Sequence, residues 1–89
     1  MRLIIDKSYI KDIRRFNHTT QIQAAEALEC ILNAQTFSDI PHLKPLKGQP
    51  HHYRIRLGDY RIGLYWNGET FFAQRIGRRG DFYKTYPPK

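Results

Sequence analysis

The sequence predicts an α+β fold, with an N-terminal strand, a two-helix antiparallel hairpin and a three-stranded antiparallel meander forming one sheet, the helices packed on one face. Three observations predict it. Apolar residues recur at helical spacing only between Ser8 and Leu32. They alternate at period two only after Tyr53, and the two strongest short turn signals, Gly58-Asp59 and Asn67-Gly68, lie in that second half. Helices gathered ahead of antiparallel strands are the signature of this class.

Leu3, Ile4 and Ile5 within Met1–Asp6 form a short β-prone run, an expected N-terminal strand. Ser8 is expected to cap a first helix, which carries Ile10, Ile13 and Phe16 at helical spacing and Lys11, Asp12, Arg14 and Arg15 on its other sides. Asn17 and His18 break that period, and Thr19 or Thr20 is the expected cap of a second helix. Ile22, Ala25, Leu28, Ile31 and Leu32 then make an apolar stripe through good helix formers. A short loop between two helices predicts an antiparallel pair.

Gln35 to Pro50 has no period and contains Pro41, Pro45, Gly48 and Pro50, so it reads as an ordered connection to the sheet. Tyr53-Arg54-Ile55-Arg56-Leu57 alternates strictly and predicts a half-buried strand. Gly58-Asp59 turns it into a return strand, Tyr60 to Trp66, and Asn67-Gly68 leads to a third, Thr70 to Ile76. The register of that third strand is open, because Phe72 and Ile76 on one face bring Gln74 with them. Gly77 ends it, and the tail to Lys89 is basic and aromatic, with Phe82 and Tyr86 expected to pin it to the sheet.

With 89 residues, a single domain over 1–89 with a modest core is expected. Leu3 to Ile5 is too short for a membrane span or a signal sequence, so the expected setting is the cytoplasm, with no membrane partner. Cys30 is the only cysteine, which excludes an intramolecular disulfide and a thiolate metal cluster. His18 and His42 have no partner at metal-ligand spacing, and no cluster of His, Cys or carboxylates appears, so no metal site is expected.

Charge is more informative. The net charge is +7, and residues 1–43 balance five Lys/Arg against five Asp/Glu. The whole surplus lies in residues 44–89, with ten basic residues against three acids, which points to a polyanionic partner. Alternation places Tyr53, Ile55 and Leu57 on one face of their strand and Arg54 and Arg56 on the other. On the return strand Tyr60, Ile62, Leu64 and Trp66 form the apolar set, so Arg61 and Tyr65 share the arginine face. Cross-strand and diagonal neighbours stand about 5–8 Å apart, so three guanidinium groups crowd one patch. Repulsion among them is relieved by an anion such as RNA phosphate.

The runs Leu46-Lys47-Gly48, Tyr53 to Ile62, Ile76-Gly77-Arg78-Arg79 and Phe82-Tyr83 resemble the RelE/ParE toxin superfamily of toxin–antitoxin systems. The order of strand, helical hairpin and strands resembles that family over nearly the whole chain. The resemblance implies a RelE-like toxin, a metal-independent and cofactor-independent endoribonuclease. It would cleave mRNA in the ribosomal A site by attack of a ribose 2′-hydroxyl on the adjacent phosphate. Its partners would be an antitoxin, the ribosome and mRNA.

The resemblance assigns Arg54, Arg56, Arg61, Arg79 and Tyr83 to catalysis. Lys47, Tyr65, Arg78 and Lys84 are the accompanying candidates for RNA contact. Arg78 stands where the family often has His or Lys, and Arg54 and Arg56 stand where some members have Lys. Arginine stays protonated in proteins and does not serve readily as a general base. The proton acceptor is then Tyr83, His52, or a group of the ribosome or substrate. The sequence leaves a second reading open: a ParE-like gyrase inhibitor, or a toxin-fold binding module without catalysis.

Overall fold

The computed structural model describes residues 1–87. Strand β1 (Arg2–Ile5) is followed by helices α1 (Lys7–Ile13) and α2 (His18–Asn33), a 3₁₀ turn (Phe37–Asp39) and a short strand β2 (Leu43–Pro45). Strands β3 (His52–Leu57), β4 (Tyr60–Trp66) and β5 (Thr70–Arg78) come next, and helix α3 (Arg79–Thr85) follows directly. One sheet runs in the order β1-β5-β4-β3-β2. β2 to β5 are antiparallel neighbours, while β1 lies parallel to β5. The expected fold class is present, with two additions, β2 and α3.

The helical hairpin is held by different residues from those expected. Asp6, not Ser8, is the N-cap of α1, and the Ser8 hydroxyl donates instead to the Gln74 carbonyl on β5 (2.6 Å). Asn17, not Thr19 or Thr20, caps α2, its Oδ1 accepting from the Thr20 amide (2.9 Å). Asn satisfies an orphan amide at this position as well as Thr does. Gln21 Nε2 then donates to the Ile13 and Phe16 carbonyls and closes the interhelical loop.

The face that α2 buries is Thr20, Ala24, Leu28 and Ile31, while Ile22, Ala25 and Leu32 are exposed. Of the expected stripe Leu28 and Ile31 are buried, and Thr20 and Ala24 complete the buried face. Leu28 and Ile31 join Ile55, Ile62, Leu64, Phe71, Ala73 and Ile76 in one core with Tyr9. Truncating a core residue of this kind, such as Phe71→Ala, costs about 3–5 kcal/mol.

Two irregularities shape the rest. A β-bulge between β4 and β5 makes Gly63 face Arg75 and Leu64 face Ala73, leaving Gln74 as the extra residue. Ala73 and Ile76 therefore both reach the core, which resolves the register conflict at Gln74. β1 pairs with β5 only as far as Ala73, and beyond it α1 covers the β5 edge through Ser8 and Asp12.

The helices do not all lie on one face. α1 and α2 cover the core side, whereas α3 packs on the opposite side against two glycines. A β-carbon on Gly63 would stand 2.8 Å from the Tyr86 ring, and one on Gly77 would stand 3.7 Å from Phe82. Phe82 and Tyr86 are almost fully buried there, so they do pin the tail to the sheet.

Candidate nucleic-acid interface

The face of the sheet turned away from α1 and α2 is laid out in cross-strand rows. Nearest the β3–β4 turn, Arg56 stands opposite Arg61, and Arg61 opposite Gly77. In the next row Lys44 of β2 stands opposite Arg54, and Arg54 opposite Gly63. In the third, His52 stands opposite Tyr65, and Tyr65 opposite Phe72. Successive rows are two residues apart along β3 and β4, about 6.8 Å.

The three sheet arginines are held differently. Arg61 is 7% exposed, and its Nη1 donates to the Gly58 and Tyr60 carbonyls at 2.8 and 3.0 Å. That fixes its guanidinium over the turn and engages Nη1 alone among the described residues. Arg54 is half-buried and its Nη1 donates to the His42 carbonyl (3.2 Å), leaning toward the sheet edge. Arg56 is exposed. Among the described residues the salt bridges engage Arg2, Arg15, Arg75 and Lys84, and none involves Arg54, Arg56, Arg61 or Arg79.

Helix α3 walls one side of this face. The Arg79 amide donates to the Asp59 carbonyl (2.7 Å), which anchors the start of α3 at the turn beside Arg56 and Arg61. Tyr83, 51% exposed, has its ring 5.0 Å from that of Phe82. Tyr86 donates its hydroxyl to Gln74 Oε1 (2.9 Å), and burial, with the Asp6 charge nearby, pushes its phenol well above the ordinary value.

The structure thus brings Arg54, Arg56 and Arg61 onto one face with Arg79 at its end. It separates other candidates from them. Arg78 pairs with Tyr60 on the core side, its guanidinium 5.5 Å from that ring. Lys84 lies exposed on α3, 3.7 Å from Asp81. Lys47 sits exposed in the β2–β3 loop, at the far end beside His52.

His52 Nδ1 lies 2.8 Å from the Pro50 carbonyl. A carbonyl can only accept, so Nδ1 carries the proton and Nε2 of the neutral ring is the acceptor. This nitrogen belongs to the third row, about 13 Å along the strand from Arg56.

Sequence reasoning misses Lys44, because a three-residue strand containing Pro45 has too little period to be seen. Proline is tolerated there because β2 is an edge strand. Among the described residues no three His, Cys, Asp or Glu side chains gather to hold a metal ion, and no helix is long and apolar enough to cross a membrane.

No protein-family model matches the sequence. Toxin RelE3 of Methanocaldococcus jannaschii is 30% identical over 88 residues, covering 98% of this chain and the whole of that one. The toxin–antitoxin complex RelB–RelE from Methanococcus jannaschii contains a chain that superposes with a TM-score of 0.81 at 27% identity, over 94% of this chain and 99% of that one. A chain of the intact Escherichia coli RelBE complex shares the fold at a TM-score of 0.69 and 23% identity, over 86% and 94% of the two chains. Identity at this level across the full length of a curated toxin, on the same fold, makes this chain a member of the RelE toxin family.

Proposed function

We propose that this chain is a ribosome-dependent mRNA endonuclease, the toxin of a toxin–antitoxin pair acting in the cytoplasm. The observation that carries the reading is the pair Arg56 and Arg61, directly opposite each other across β3 and β4, with no carboxylate among the described residues paired to either. Like charges placed so are destabilising. A phosphodiester in the groove beside α3 neutralises them.

In-line cleavage needs positive charge on the phosphorane, an acceptor for the 2′-hydroxyl proton and a donor for the leaving 5′-oxygen. Arg54, Arg56, Arg61 and Arg79 meet the first need with forked donors. Arg61 is the most preorganised of them, because its hydrogen bonds are already made. The 2′-oxygen bonds to phosphorus as the bond to the 5′-oxygen breaks, leaving a 2′,3′-cyclic phosphate and a 5′-hydroxyl. Tyr83, through its exposed hydroxyl, is the group of this face that takes or returns the proton, since His52, the other expected acceptor, stands about 13 Å along the strand from Arg56. Lys47, Lys44, Tyr65 and Lys84 contact flanking RNA, and Arg78 does so from the other side of the sheet edge.

The antitoxin partner is supported by the RelB–RelE complexes whose toxin chains share this fold. It would cover the basic face or the exposed helix side chains Ile22 and Leu32.

Expression in cells, followed by primer extension on ribosome-bound mRNA, tests the reading. Cuts within A-site codons are expected, and both cuts and growth arrest should vanish in Arg61→Ala and Arg79→Ala while antitoxin binding persists. Growth arrest with intact mRNA, or stalled gyrase with broken DNA, would overturn it.

A further inference from the structure

The third row of the open face ends in a recess that the phosphate chemistry does not use. His51, Tyr65, Trp66, Asn67 and Gly68 bound a space of about 160 Å³, the scale of a single planar ring system. Its walls are aromatic. The Tyr65 and His51 ring centroids are 6.5 Å apart and nearly perpendicular, and the His52 and Phe72 rings support Tyr65 at 5.1 and 6.2 Å.

Two further features mark it as built. His51 has a φ of 65°, a left-handed conformation that a β-carbon makes costly, and the Trp66 amide holds it there through the His51 carbonyl (2.8 Å). Asn67 Oδ1 accepts from the Glu69 and Thr70 amides (2.9 and 2.7 Å), which orients the carboxamide and leaves Nδ2 as its donor among the described residues. The row carrying Lys44 and Arg54 is about 6.8 Å away along the strand, on the order of one nucleotide step of an extended single strand.

We propose that this recess receives one nucleobase of a single-stranded RNA, stacked on Tyr65 and edged by His51, with Asn67 Nδ2 donating to an acceptor on the base. Lys44 and Arg54 hold the neighbouring phosphate. The inference rests on the reading of the open face as an RNA interface and adds to it a site that discriminates between bases. Unstacked RNA bases are commonly read in this way, on an aromatic ring with a hydrogen bond at the edge.

Short single-stranded RNAs carrying 2-aminopurine at one position at a time, titrated with the purified protein, test the site. Fluorescence quenching concentrated at one position is expected. Tyr65→Ala should abolish it and weaken binding about 10-fold or more, whereas Tyr65→Phe keeps both. His51→Asn, which retains the left-handed backbone but not the ring, should weaken binding less, with the salt dependence unchanged in all three variants.

Quenching spread evenly over all positions, or unchanged in a folded Tyr65→Ala, would overturn the recess while leaving the interface standing. The parallel variants Arg54→Ala and Arg56→Ala report on the interface itself. If neither lowers the salt dependence of RNA binding, the reading of the face falls, and the recess with it.

Discussion

Asp12 holds Arg75 by two parallel hydrogen bonds, Nε to Oδ2 at 2.7 Å and Nη2 to Oδ1 at 3.0 Å. Its Oδ2 also accepts from the Ile76 amide. The carboxylate thereby substitutes for a neighbouring strand along the edge of β5 that β1 does not reach, and it raises the Arg75 pKa further. Breaking a buried pair costs roughly 3–5 kcal/mol, and Arg75 keeps 33% of its side chain exposed, so Asp12→Ala should cost about 2–3 kcal/mol. Arg15→Ala removes a partner that is 69% exposed and should cost less than about 1 kcal/mol. Urea midpoints measure both, and equal losses would contradict this account.

Gly63 is required by the aromatic ring above it. In Gly63→Ala the new methyl group meets the Tyr86 ring at 2.8 Å, and the ring belongs to a short terminal segment that yields more easily than the sheet. The expected cost is about 1–3 kcal/mol. It should appear as faster tryptic cleavage after Lys84 and lost amide protection in α3, with β4 still protected. Combining it with Tyr86→Ala should cost less than the two singles summed.

Arg56 and Arg61 carry the same charge yet should behave differently when removed. Arg61→Ala loses two hydrogen bonds to turn carbonyls and should destabilise by about 1–3 kcal/mol. Arg56→Ala relieves a like-charge neighbour at an exposed site and should stay within about 0.5 kcal/mol of the parent. Each should lower the salt slope of single-stranded RNA binding by about 0.7. Thermal melts and salt titrations on the same samples separate the two effects.

Burial pushes the Tyr9 phenol up from 10.0 to about 12. The folded state thus favours the protonated ring, and that contribution is complete below pH 10. It is lost as pH rises through the folded value, because the unfolded chain ionises first. Stability should fall between pH 10 and about 12, with Tyr86 contributing in the same direction. Tyr9→Phe should flatten that fall, followed by circular dichroism alongside tyrosinate absorbance.

The rows of the basic face are legible in the sequence because strict alternation in Tyr53–Leu57, a Gly-Asp turn and a second alternating run fix faces and pairing together. Elements that depend on a partner surface are not. β2 exists because β3 has an edge to pair, and Lys44 joins the face only through that pairing. α3 contains Gly80 and has seven residues, too few for a stable isolated helix, so its helicity depends on Phe82 and Tyr86 resting on the sheet. The buried side of α2 is half legible, in Leu28 and Ile31, while Thr20 and Ala24 complete it without an apolar pattern strong enough to mark them. The recess at His51 and Tyr65 is likewise invisible until the β2–β3 loop is folded back.

Residues 2–5 pair with residues 70–73, so the first strand to be synthesised completes the sheet only beside the last. Such a distant pairing makes closure of the sheet slow and late. On a translating ribosome β1 has no partner until β5 has emerged. Arg79, which follows β5, is later still. Arg79 therefore joins Arg54, Arg56 and Arg61 only after β5 has emerged, so the four arginines share one face only once the chain has passed residue 79.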